Sequence, residues 1–202
     1  YRGNRAIKFS SEKFHAYLSP NYPTLAEAGF QLEYYYPNWL TPPAGDFRLQ
    51  PTLDPNVGLV KFHPGLSRAF LEPVLLGNHF RAMVVESYGN GNLPTIPWLL
   101  DLLEEAIRRG MMIVNVSQCT AGRVAQGKYE TSRRLKEIGI TSGADLTTAA
   151  ALTKLMYLFG KYGNDHAYIH DLFHRNLSGE MGAREEHGEP STFGPPFLQA
   201  ST

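Results

Sequence analysis

Residues 83–94 read MVVESYGNGNLP, a short apolar run that passes straight into a glycine- and asparagine-rich turn with a helix-like pattern behind it. The turn combines two properties. Gly89 and Gly91 open backbone conformations closed to other residues, and Asn90 and Asn92 supply amide donors and carbonyl acceptors that can read a small polar ligand. The spacing alone also fits a plain connecting turn.

The flanking stretches give the fold. Upstream lie an apolar run at Val57–Phe62, a turn at His63–Gly65, a helical stretch at Leu66–Leu76 and an extended run at Arg81–Val85. Downstream, Ile96, Leu99, Leu100, Leu103, Ala106 and Ile107 recur at three- and four-residue spacing, which predicts a helix with Asn92 or Thr95 as its cap and Gly110 closing it. Arg108 and Arg109 suit the negative end of its dipole. Met111–Val116 is a continuous apolar run, the signature of a strand covered on both faces. Strand and helix in alternation imply crossover connections, and so an α/β fold: a small open parallel sheet with helices on both faces.

The remaining pattern predicts a helix over Tyr129–Glu137, an extended piece at Ile138–Thr141, a helix capped by Thr147 that runs through Phe159, and a last helix over Asp165–Asn176. Leu152, Leu155, Met156 and Phe159 are expected inward on the helix that Thr147 caps, and Tyr168, Ile169, Leu172 and Phe173 on the last one. Residues 1–53, with six prolines and aromatic clusters but only a short strand pattern at Phe30–Tyr35, read as a linker packed against something. Residues 54–178 form the domain, and 179–202, rich in Gly, Pro, Glu and Ser, read as a flexible tail.

Composition narrows the function. Lys plus Arg and Asp plus Glu each number 19, and the cations form no stripe, so no nucleic-acid partner is expected. One cysteine, Cys119, excludes an internal disulfide, and no apolar run approaches the roughly 20 residues of a membrane-spanning helix. A cytoplasmic, reducing setting is expected. The chain starts at Tyr1, and YRGNRAIK resembles neither a signal nor a transit peptide, so a beginning inside a longer polypeptide is expected.

Ligands of open parallel sheets bind beyond the carboxyl ends of the strands. That rule nominates the loops 63–65, 86–94 and 117–123, with His63, Glu86, Tyr88, Asn90, Asn92, Ser117, Gln118, Cys119, Thr120 and Arg123. Neutral hydrogen-bonding groups dominate, and no paired carboxylates stand ready as acid and base; binding is favoured over catalysis. A thiol hydrolase built on Cys119 and His63 lacks a residue to orient the histidine. His166, His170 and His174 recur every four residues on the last helix, but no further ligand is fixed by spacing, and a solvated face is the better reading than a metal site. No GxGxxG and no phosphate-loop lysine occur, and no cofactor is expected.

The succession YRGNRAIK, SPNYPTLAEAG, VKFHPGL, VVESYGNGNLP, MMIVNVSQCTAGRV, YETSRRL, ITSGADLTTAAALTKLMYLFG and NLSGEMG resembles, in order and from Tyr1 to about Gly182, the carboxyl-terminal half of cytoplasmic type I L-asparaginases. The resemblance implies a smaller C-terminal domain with its linker, cut off from a larger amino-terminal domain that carries the catalytic threonines; the TGGT motif of that domain does not occur here. It implies hydrolysis of L-asparagine to aspartate and ammonia by the full-length protein, no catalytic residue in this chain, and inactivity of the chain alone. It further implies a homodimer or homotetramer in which Asn92 and Tyr129 reach the substrate of the neighbouring subunit. Some bacterial members bind a regulatory asparagine at positions matching Asn92 and Ser117, Gln118 and Cys119; Glu86 stands where those have arginine, which removes the partner for the ligand carboxylate. Two other readings stay open: the asparaginase-like subunit of the archaeal glutamyl-tRNA amidotransferase, and a stand-alone amino-acid-binding module.

Overall fold

A computed structural model of the chain describes residues 1–41, 45–46, 48–126 and 130–182. In chain order the strands and helices are β1 (Ile7–Lys8), β2 (Tyr17–Leu18), β3 (Ala26–Ala28), β4 (Leu32–Tyr34), β5 (Val57–Lys61), α1 (Arg68–Leu76), β6 (Ala82–Ser87), α2 (Pro97–Arg108), β7 (Met112–Ser117), α3 (Glu130–Glu137), β8 (Thr141–Ser142), α4 (Thr148–Tyr162) and α5 (His166–Phe173). β1 and β2, and β3 and β4, form two small antiparallel pairs, and β5-β6-β7-β8 form one parallel sheet in that order.

Sequential order has a geometric consequence. Right-handed crossovers between successive neighbours all fall on one side of the sheet, so α1, α2 and α3 share a face. They cover Val60, Met83, Val85 and Ile113, together with Leu71, Leu75, Leu99, Leu103, Leu135 and Ile138. The other face, with Ala82, Val84, Met112, Val114 and Val116, needs cover from elements beyond the last strand. α4 and α5 supply it through Ala151, Leu155, Leu158, Phe159, Ile169 and Phe173. Each fully buried Leu or Phe contributes about 2 kcal/mol by leaving water, so this second layer is as strong a reason for the fold as the first.

Helix ends follow local chemistry. Ser67 and Thr147 cap α1 and α4 through their hydroxyls, which accept from the Phe70 and Ala150 N–H groups at 3.3 and 3.1 Å, and the Asp165 carboxylate caps α5. α2 departs from expectation: neither Asn92 nor Thr95 caps it. Ile96 occupies the cap with no side-chain bond, and Pro97 opens the first turn, where its missing N–H costs nothing. One inward assignment also changes, and one inward side chain lies outside the expectations. Tyr168 is 44% exposed, its ring edge-on to Tyr162 at 5.0 Å, and α4 buries Lys154 beside Leu155.

The first residues of the segment read as a tail pack against the domain. Glu180 and Met181 are buried, and the Gly182 N–H donates to the Asp145 carboxylate; residues 183–202 lie outside the described part. Among the described residues, no helix is long and apolar enough to cross a membrane. Residues 1–53 present Phe14, Phe30, Leu32, Tyr36 and Leu40 to solvent, a density of exposed apolar side chains that the α/β core does not share.

Candidate functional site

Parallel pairing brings the carboxyl ends of β5, β6 and β7 to one edge, with Lys61 beside Glu86 and Ser87 beside Ser117. Strand order never reverses, so the sheet offers no crevice at a switch point. What it offers is an open edge of loops.

The Gly89–Asn92 turn stands at the centre of that edge. Tyr88 and Asn92 exchange backbone bonds, the Tyr88 N–H donating to Asn92 at 3.0 Å and the Asn92 N–H to Tyr88 at 2.9 Å. Both glycines have positive φ, 53° at Gly89 and 111° at Gly91, as their residue type suggests. Within the turn the Asn92 amide donates to Asn90 Oδ1 at 2.8 Å, so the two asparagines orient one another. From outside, the Asn115 amide donates to the Gly91 carbonyl at 2.9 Å and the Ala125 N–H to the Asn90 carbonyl at 2.9 Å. A short loop is thus held by two neighbouring elements.

The other candidates are brought to the same edge but in other roles. Gln118 Nε2 donates to the Phe62 and Glu86 carbonyls at 2.6 and 2.9 Å, stitching the ends of β5 and β6 together. Ser117 Oγ donates to the Gly89 carbonyl and accepts from the Cys119 N–H at 2.9 Å. Glu86 and Ser117 are separated by the pleat: Glu86 pairs in register with Val116, on the α4 face, and there accepts from the Thr148 hydroxyl at 2.6 Å, with the Lys61 ammonium 3.6 Å away. The set Glu86, Ser117, Gln118 and Cys119 therefore spends most of its polar atoms on the fold. No hydrogen bond joins Cys119 to His63 among the described residues, and the His63 ring faces the Pro64 carbonyl. Tyr129 lies outside the described residues. His170 and His174 stand 4.8 Å apart, ring to ring, and no group of three His, Cys, Asp or Glu gathers among the described residues.

Sequence reasoning missed the polar groups beneath this edge. Asn115 is fully buried inside β7, and only its interruption of the run MMIVNVS could have marked it. Asn21 binds the backbone of Gly122 from 101 residues away. Arg5, itself buried, meets Asp145 at 2.6 Å. Burial works to raise the Asp145 carboxyl, but the Arg5 and Gly182 hydrogen bonds and the Arg5 and Arg123 charges outweigh it and hold the group below the usual carboxylate range. Lys154 and Glu180 pair at 2.5 Å, and Glu180 also accepts from the Leu177 and Ser178 N–H groups, which hold it charged and below its usual range against the opposing effect of burial.

The geometry defines an α/β domain that presents amides along an open edge of strand ends, tied to the polypeptide on its amino-terminal side. The chain belongs to the glutaminase/asparaginase C-terminal domain family, which matches residues 56–173. It is 38% identical over 190 residues to "L-asparaginase 1" of Escherichia coli K12, an alignment that takes in 90% of this chain and 53% of that protein. The mouse "60 kDa lysophospholipase" is 36% identical over 187 residues, covering 90% of this chain and 32% of that one. A glutamyl-tRNA(Gln) amidotransferase subunit from Thermoplasma acidophilum is 29% identical over 184 residues, 91% of this chain and 43% of its own length. The solved L-asparaginase I of Vibrio cholerae superimposes with a TM-score of 0.81 at 36% identity, over 90% of this chain and 54% of that one. The chain spans about half the length of the L-asparaginases it matches.

Proposed function

We propose that this chain is the C-terminal domain and linker of an L-asparaginase, an amidohydrolase that converts L-asparagine and water to L-aspartate and ammonia. The carrying observation is the match, over 90% of the chain, to the solved Vibrio cholerae enzyme, together with the family match over residues 56–173, which contains the Gly89–Asn92 turn held on the open edge. In this reading the nucleophilic chemistry belongs to an amino-terminal domain, and this domain forms the subunit interface of a cytoplasmic homodimer or homotetramer. Asn92, and Tyr129 beyond the described residues, contact the substrate of the neighbouring subunit. An amide suits that task because it hydrogen-bonds both charged ends of an amino acid without adding a full charge of its own. The exposed Phe14, Phe30, Leu32, Tyr36 and Leu40 support an apolar partner surface for residues 1–53.

Co-expression with the amino-terminal domain of a related L-asparaginase tests this. Ammonia release from asparagine is expected from the pair and not from the chain alone, and Asn92→Ala is expected to raise KM by about tenfold, the loss of one hydrogen bond to a charged group. Turnover by the chain alone overturns the division of labour. Binding of asparagine without turnover by the pair supports a stand-alone binding module instead.

A further inference from the structure

Asn115 is an anomaly in its strand. Its neighbours Val114 and Val116 pack under α4, and its own side chain, fully buried, lies on the opposite face with Ile113. One half of its amide is spent: Nδ2 donates to the Gly91 carbonyl at 2.9 Å. The other half is not, since Oδ1 has no partner among the described residues. An apolar side chain suits such a position better, because an unpaired buried carbonyl oxygen is costly. The fold alone gives no reason for an asparagine there.

The turn above it gives one. Gly91 has φ 111°, and a Cβ added to it would lie 2.6 Å from Val124 Cγ1 and 3.3 Å from Asn115 Nδ2. Glycine, valine and asparagine therefore interlock with no slack. Gly91 separates Asn90 from Asn92, whose side chains are bonded to each other. On the far side the Ala125 N–H holds the Asn90 carbonyl, and the next residue, Gln126, carries a buried Nε2 that also lacks a partner among the described residues. Each of the two elements that grip the turn thus leaves one polar atom unspent. Stability forgone next to a ligand-presenting loop is the pattern of a residue kept for positioning.

We infer that Asn115 is a positioning residue, whose buried amide fixes the Gly91 carbonyl and so sets the direction in which Asn92 meets its ligand; the inference rests on the reading of Asn92 as a substrate contact. Asn115→Leu in the full-length protein is the test. Expected are about tenfold faster hydrogen exchange at the Gly91 and Asn92 amides, and a KM for asparagine about 5–20-fold higher with kcat within about twofold. Asn115→Asp, which keeps the volume, is assayed at alkaline pH, where the ionised carboxylate has no donor for the Gly91 carbonyl, and is expected to raise KM as well. An unchanged KM in both variants overturns the inference, as does a joint fall of melting temperature and kcat at constant KM, which marks a core residue only. Should the wild-type protein hydrolyse no asparagine, the functional reading fails on its own, and the exchange measurement still decides: faster exchange supports the strut, and unchanged exchange removes it.

Discussion

Asn21 holds Gly122 with both ends of its amide, Nδ2 donating to the Gly122 carbonyl at 2.7 Å while Oδ1 accepts from the Gly122 N–H at 2.8 Å. The contact imitates a strand pair between a side chain and a backbone, and it spans 101 residues. It ties the amino-terminal segment to the loop that follows Ser117, at the edge where Asn92 stands. Asn21→Ala is expected to cost about 1 kcal/mol, since water can replace both bonds at this exposed position. The larger effect is local: amide exchange at Gly122 should rise several-fold more than the global loss of stability accounts for. Equal changes at Gly122 and in the core strands would show that the contact only adds to overall stability.

Gly91→Ala should be among the most damaging small substitutions in the chain. Its φ of 111° is unfavourable for any side chain, and the new methyl would meet Val124 at 2.6 Å and the Asn115 amide at 3.3 Å. Strain of that kind costs about 1–3 kcal/mol, and overpacking adds about as much again. Val124→Ala in the same chain removes the clash but not the backbone strain, so it should restore roughly half the loss. Urea midpoints of the two variants measure the split, and full restoration would mean that the φ angle carries no cost.

Where the structure matched the sequence, the signal was local and periodic. β6, β7 and α2 were legible because a strand buried on both faces reads as one apolar run and a surface helix repeats every three to four residues. The carboxyl edge followed from topology once the strands were parallel. Long-range polar contacts were not legible, because no spacing encodes a partner: Lys154 sits in the run LTKLM with its counter-charge 26 residues on, inside a segment whose composition reads as tail. Tyr168 failed for a related reason. Periodicity placed it inward, but an edge-on pair with Tyr162 at the rim satisfies the ring while leaving it 44% exposed.

The Lys154–Glu180 pair should behave as a buried ion pair does when one member is removed. Both side chains are 4% exposed, and the Lys154 ammonium also donates to the Arg175 carbonyl at 2.5 Å. Lys154→Met leaves a buried carboxylate without its cation, and Glu180→Gln leaves an ammonium without its anion; each is expected to lose about 3–5 kcal/mol. The double variant Lys154→Met with Glu180→Gln should recover part of that loss, since no buried charge remains. A thermodynamic cycle from urea denaturation reads the coupling directly. Additive losses in the double variant would mean that the two side chains act independently.

Acid should loosen the segment that Glu180 and Asp145 hold before it unfolds the sheet. The Asp145 and Glu180 carboxyls both lie below their usual range in the folded chain, where an unperturbed Asp or Glu titrates at about 4. Near and below that pH the unfolded chain binds more protons than the folded one, so stability rises with pH through this window. The contribution is complete above about pH 5 and is lost as the pH falls through the depressed folded-state values. Residues 177–182, which hang on Glu180 and on the bond from the Gly182 N–H to Asp145, should therefore gain exchange first on acidification from pH 5 to pH 3. Asp145→Asn and Glu180→Gln should be less stable than wild type at pH 7 and should show a shallower loss between pH 5 and pH 3. A slope as steep as that of wild type in both variants would place the acid sensitivity on other carboxylates; Glu105 is one, held at about 2 by hydrogen bonds from Arg108 and Arg109 on the exposed face of α2.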